Sequence, residues 1–163
     1  MSDLSTPAQP APTAPIAGQT MMRWLAVDPG DKHIGLAISD PTGTVVRPLT
    51  TLYHESYALS AKKILTVAQE QQAQGIIVGL PLDDDGWEGP QARKASRLAE
   101  ALREVSALTI VLHDESLSSR EAHRLRRVAG KKKRLRDNAE HAHAAAVILQ
   151  SYLDEHSPTP KAR

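Results

Sequence analysis

The apolar positions of this chain change their rhythm as it runs, and each change marks a different element. Trp24-Leu25-Ala26-Val27 is a short apolar run ending in Asp28-Pro29-Gly30, which suits a buried strand entering a turn. Ile34 to Ser39 and Thr44 to Pro48 follow at hairpin spacing, separated by Asp40-Pro41-Thr42-Gly43. Three strands in succession predict an antiparallel meander. The period then lengthens to 3.6: Ala61, Ile64, Leu65 and Ala68 share one helical stripe, and Gly75 is expected to stop that helix. Gly75 to Pro81 is again a compact apolar strand. Pro90 opens a helix that turns Ala95, Leu98, Ala99, Leu102 and Val105 inward, and Leu108 to Leu112 is the next strand. A short helix around Ser119 to Val128, a basic segment and a final helix from about Asn138 to Leu153 follow, the last with Ala145, Ile148, Leu149 and Tyr152 on its apolar face.

The order β-β-β-α-β-α-β-α predicts an α/β domain with a mixed sheet, parallel in its second half, and helices on both faces. In such a sheet the site is expected at the carboxyl ends of the strands. Residues 1–21, interrupted by Pro7, Pro10, Pro12 and Pro15, read as a disordered tail, as do residues 156–163 with Pro158 and Pro160. A folded domain of 22–155 is left between them.

The bulk properties narrow the chemistry. At 163 residues there is room for one domain but not for two catalytic lobes. A hydrophobic content of 40% and a charged content of 24% argue against both a disordered and a membrane protein. No run approaches the roughly 18 apolar residues of a membrane span, and the start lacks a secretory pattern, so a cytoplasmic protein without a membrane partner is expected. With no cysteine, thiolate metal sites and cysteine nucleophiles are excluded.

Charge adds a partner. The net charge of +1 conceals a cluster between His123 and Asp137, where Arg124, Arg126, Arg127, Lys131, Lys132, Lys133, Arg134 and Arg136 gather eight of the chain's 20 basic residues. Such a segment neutralises successive phosphates with little sequence preference. Aromatic content of 3% with no Phe speaks against a base-stacking platform, so phosphate contact should dominate binding of nucleic acid.

Asp28 and Glu115 each terminate an apolar strand, and their carboxylates would project from one sheet edge if those strands are neighbours. Two convergent carboxylates repel unless a divalent cation lies between them, and hard oxygen donors suit Mg²⁺ or Mn²⁺. Metal-assisted phosphodiester cleavage is the reaction class this defines. Asp83-Asp84-Asp85 reads as a solvated loop, because consecutive acids point in different directions. His113 should face opposite to Asp114 and be structural. Asp40 and Asp114 are expected to shape turns around the site.

Four segments together resemble one family: Val27 to Asp40, Val78-Gly79-Leu80-Pro81 with Asp85 to Pro90, Asp114-Glu115, and Ala144 to Gln150. Their order and spacing are similar to those of the bacterial YqgF family, also called RuvX, the pre-16S ribosomal RNA nuclease and Holliday-junction resolvase family, over about residues 23 to 154. The resemblance implies an RNase H-like fold, a metal-dependent nuclease with Mg²⁺ or Mn²⁺, and a substrate among precursor ribosomal RNA and branched DNA, with ribosomal particles as a further partner. It implies Asp28 as the first acid and Glu115 as the second. The aspartate usual at the start of the last helix falls on His141, leaving His141 itself, Asp137 one turn earlier, or the adjacent Glu140 as the third ligand. His33 and Ser116 stand where the family usually has Arg, and Lys32 in the first turn joins the basic segment as a phosphate contact.

Two other functions compete. Asp28-x-Gly-x-x-x-x-Gly35 is also similar to the first phosphate loop of actin-like ATPases, but those clasp ATP between two such domains. A non-catalytic RNA- or ribosome-binding factor with a degenerate site is the stronger alternative, because of His141.

Overall fold

The computed structural model of the protein describes residues 22–81, 89–114 and 137–156. Its elements are β1 (Trp24–Pro29), β2 (His33–Ser39), β3 (Val46–Tyr53), α1 (Tyr57–Glu70), β4 (Gly75–Leu80), α2 (Pro90–Val105), β5 (Thr109–Asp114) and α3 (Asp137–His156). The strands form one sheet in the order β3-β2-β1-β4-β5. The first three are antiparallel, whereas β4 and β5 run parallel to β1. This is the expected mixed sheet, with β1 at its centre.

The sheet is covered on both faces because its inner strands carry apolar side chains on both sides. Leu25, Val27, Leu36, Ile76 and Val78 pack with Ala61, Ile64, Leu98 and Leu102 of α1 and α2. The alternate residues Ala26, Ala37 and Ile77 pack with Ala145, Ile148, Leu149 and Tyr152 of α3. Strand side chains alternate with a period of two, so a single run such as Trp24 to Val27 supplies both cores. The apolar face predicted for the last helix is buried in full.

Several boundaries differ from expectation for local reasons. Helix α1 starts with the Ser56 hydroxyl accepting the Leu59 N–H, and ends at Glu70 rather than at Gly75. Gln72, at φ 57°, makes the left-handed exit usually left to glycine. Gly75 instead opens β4, where a Cβ would strike the Trp24 indole. Strand β3 continues past Pro48 to Tyr53. Pro48 is tolerated because β3 is an edge strand and the register slips beside it, between Leu36 and Ala37. Val105, assigned to the inner face of α2, is 37% exposed at its last turn. His156, expected in the tail, ends α3 with its ring stacked on Tyr152. The predicted helix around Ser119 to Val128 lies outside the described residues.

Candidate active site

Asp28 is the fifth residue of β1 and pairs with Gly35 of β2. It lies two residues beyond Ala26, on the face covered by α3, and emerges from the core at its carboxyl end with its side chain 25% exposed. Helix α3 comes down on this strand end because Gly35 has no side chain: a Cβ there would overlap the His141 carbonyl and the Ala142 N–H. The close approach delivers the His141 imidazole to Asp28, with Nδ1 3.9 Å from the carboxylate Oδ2. Gly30 completes the frame, since a Cβ on it would lie 3.4 Å from the His141 ring.

His33, read only as a departure from the family's arginine, belongs to the same cluster, with its ring stacked on His141 at 5.5 Å. Alternation along β2 signals this, because His33 and Gly35 share a face. Sequence reasoning also missed a tie beneath the first turn. The Lys94 ammonium pairs with Asp31, and Gln91 donates to the same carboxylate at 3.4 Å, fastening the β1–β2 turn to the first turns of α2. The hydrogen bond from Lys94, opposed by some burial, holds the Asp31 carboxyl below its ordinary value. Lys32 is exposed on that turn, and its carbonyl accepts the His54 N–H at 2.8 Å.

Strands β1 and β5 are not neighbours, as β4 lies between them. Their parallel pairing through β4 still brings both carboxyl ends to one edge, about two strand spacings, or ~10 Å, apart. Strand β5 stops at Asp114, and Glu115 lies outside the described residues. His113 is buried, as expected, with Nε2 3.2 Å from the Ser151 hydroxyl and its ring edge-on to Tyr152. The exposed Asp114 sits on the opposite face of β5 from His113.

Asp40 does shape a turn, accepting the Thr44 and Val45 N–H groups at 2.9 Å and the Thr42 hydroxyl. That turn is at the other end of the sheet from Asp28, because β2 runs back to the level of Trp24 before it forms. Asp40 is therefore no part of the site. Glu140 is exposed beside His141, and Asp137 is the first residue of α3. The residues Asp83 to Asp85, Ser116, Arg124, Arg126, Arg127, Lys131 to Lys133, Arg134 and Arg136 lie outside the described residues.

Asp28 and His141 fit two positions on one divalent ion. With bonds of about 2.1 Å, two ligands of the same ion stand roughly 3 to 4 Å apart, and the 3.9 Å separation falls inside that span. The carboxylate is a hard donor and the imidazole a borderline one, a set that suits Mn²⁺ at least as well as Mg²⁺. Among the described residues no three acids or histidines gather tightly enough to hold an ion by themselves, so the pair would share it with further donors.

The strand order, the acid ending the central strand and the helix laid across it define an RNase H-like fold of the resolvase type, a class whose nucleases depend on divalent metal. A Thermus thermophilus RuvC, solved in complex with a Holliday junction substrate, superposes with a TM-score of 0.52 at 17% identity, covering 85% of this chain and 97% of that one. The profile of the RuvX family, described as Holliday junction resolvase, matches residues 22–155, and the chain belongs to that family of nucleases. A relative from Caldanaerobacter subterraneus, named "Putative pre-16S rRNA nuclease", is 38% identical over 138 residues, 82% of this chain and 96% of its own length. One of the same name from Anaeromyxobacter strain K is 40% identical over 137 residues, 84% of this chain and 100% of its own. No helix among the described residues is long and apolar enough to cross a membrane.

Proposed function

We propose that this chain is a Mg²⁺- or Mn²⁺-dependent nuclease whose folded domain, residues 22–155, cleaves phosphodiester bonds in precursor 16S ribosomal RNA or in four-way branched DNA. The observation that carries the reading is the meeting of Asp28 with His141 at the open end of the central strand. A divalent ion held there would activate a water and neutralise charge gathering on the scissile phosphate. Asp28 supplies the hard anionic ligand from a strand fixed on both sides by its neighbours. His141 supplies nitrogen where the family resemblance leads one to expect a carboxylate, and Glu115, which follows β5 in the chain, is proposed as the second acid, with Asp137 or Glu140 able to supplement the set. Lys32 and the basic residues from Arg124 to Arg136 bind the phosphates on either side, which positions the strand without reading its bases.

The actin-like alternative loses its phosphate loop. Gly35 is covered by the backbone of α3, so the second glycine serves helix packing rather than a nucleotide. The binding-factor alternative is decided by assay. Precursor ribosomal RNA, a simple RNA and a four-way DNA junction are incubated with the protein and Mg²⁺ or Mn²⁺, alongside Asp28→Asn. Cleavage of at least one substrate by the wild type and not by the variant is expected. Survival of all three with either metal would make the protein a binding factor instead.

A further inference from the structure

Four side chains from four elements stand in a row at the site: Tyr53 of β3, His33 of β2, His141 of α3 and Asp28 of β1. The His33 ring faces that of His141 with centroids 5.5 Å apart and planes 27° from parallel. Tyr53 also meets the His33 ring, edge-on, at 5.8 Å and 87°. The His141 side chain is 30% exposed beside the 25% exposed carboxylate, so its direction depends on the neighbours that restrain it. The stack on His33 is a restraint of that kind.

We propose that His33 is a positioning residue, whose ring backs the His141 imidazole and keeps its Nδ1 edge toward Asp28, so that position 141 acts as a nitrogen ligand to a first-row transition ion. The proposal rests on the reading that Asp28 and His141 hold a metal. An imidazole ligates through a lone pair in the plane of its ring, and its face takes no part in the bond. A ring stacked on that face therefore restrains His141 without competing for the ion. Removing a hydrogen-bonded partner of a metal-bound imidazole changes metal affinity by roughly 10- to 100-fold in other sites, and a ring stack, which makes no hydrogen bond, should act at or below the lower end of that range.

The test is binding of Co²⁺ to the full chain, followed by its visible absorption and by calorimetry, for the wild type, Asp28→Asn, His141→Ala, His33→Ala, His33→Phe and the double variant His33→Ala with His141→Ala. Thermal melts of each variant report folding. Asp28→Asn and His141→Ala should weaken Co²⁺ binding by about tenfold or more, and His33→Ala by roughly three- to tenfold. His33→Phe keeps a ring face but has no lone pair to offer, so it should bind within about twofold of wild type. The double variant should bind no more weakly than His141→Ala alone, because His33 acts through His141. Wild-type affinity in His33→Ala, or an equal defect in His33→Phe and His33→Ala, would overturn the positioning role while leaving the metal site intact. If His33→Ala does not fold, His33→Leu against His33→Phe gives the same contrast between bulk and ring. Unchanged affinity in both Asp28→Asn and His141→Ala would remove the metal site itself, and the proposal with it.

Discussion

The carbonyl of His141 occupies the space that a side chain on Gly35 would need. Strand β2 and helix α3 thus meet backbone to backbone, beside the point where Asp28 and His141 come together. Gly35→Ala cannot be relieved by turning a side chain, since the obstruction is main chain on both sides. The substitution should cost about 2 to 3 kcal/mol of stability, toward the upper end for overpacking. Urea unfolding of the purified variant measures this, and a midpoint equal to the wild type would contradict the close approach.

The nitrogen ligand proposed at position 141 should set the choice of metal. Replacing it with oxygen in His141→Asp should raise Mg²⁺-supported cleavage relative to Mn²⁺-supported cleavage by roughly tenfold, because Mg²⁺ accepts oxygen donors more readily than imidazole. The ratio of initial rates in the two metals is the measurement. A ratio unchanged from wild type would show that His141 is not a ligand.

Stability should fall with acid through two carboxyls far apart in the sheet. Lys94 holds Asp31 below its ordinary value. At Asp40, burial pulls upward but is outweighed by the hydrogen bonds from Thr42, Val45 and Thr44, so this carboxyl too is lowered. A group with a lower pKa folded than unfolded binds fewer protons in the native state. Its contribution is complete above about pH 5, and is lost as pH drops through the unfolded value near 3.9 toward the folded one. Asp40→Asn should therefore be less stable than wild type at pH 7, with the difference shrinking by pH 3. Urea midpoints at the two pH values test it.

Neutralising Lys131, Lys132 and Lys133 to alanine should weaken binding to precursor RNA and to junction DNA alike. It should also flatten the plot of log affinity against log salt by about 2 to 3, close to one unit for each phosphate no longer neutralised. An unaltered slope would mean that these lysines do not touch the backbone of the nucleic acid.

Where an element's rhythm came from burial, the sequence was a good guide. The runs at Trp24 to Val27 and Gly75 to Leu80 became central strands, and the stripe of Ala145, Ile148, Leu149 and Tyr152 became the buried face of α3. Where local chemistry had two meanings, it misled. Gly75 reads equally as a helix stop or as room for Trp24, and Pro48 as a strand end or as a permitted edge residue. The placement of Asp28 was legible because the apolar run before it fixes where β1 leaves the core. The partnership of His33 with His141 was not, since it depends on α3 crossing β2 at Gly35, a contact between residues over a hundred positions apart.

Among the described residues, helix α3 is the element that covers one side of the sheet, and it carries His141 on its first turns. Closing that side and equipping the proposed reaction centre are consequently one event. A molecule whose last helix has lifted away loses its chemistry before its central strands give way, so heat inactivation should precede loss of the sheet, and ions that bind the finished centre should delay both.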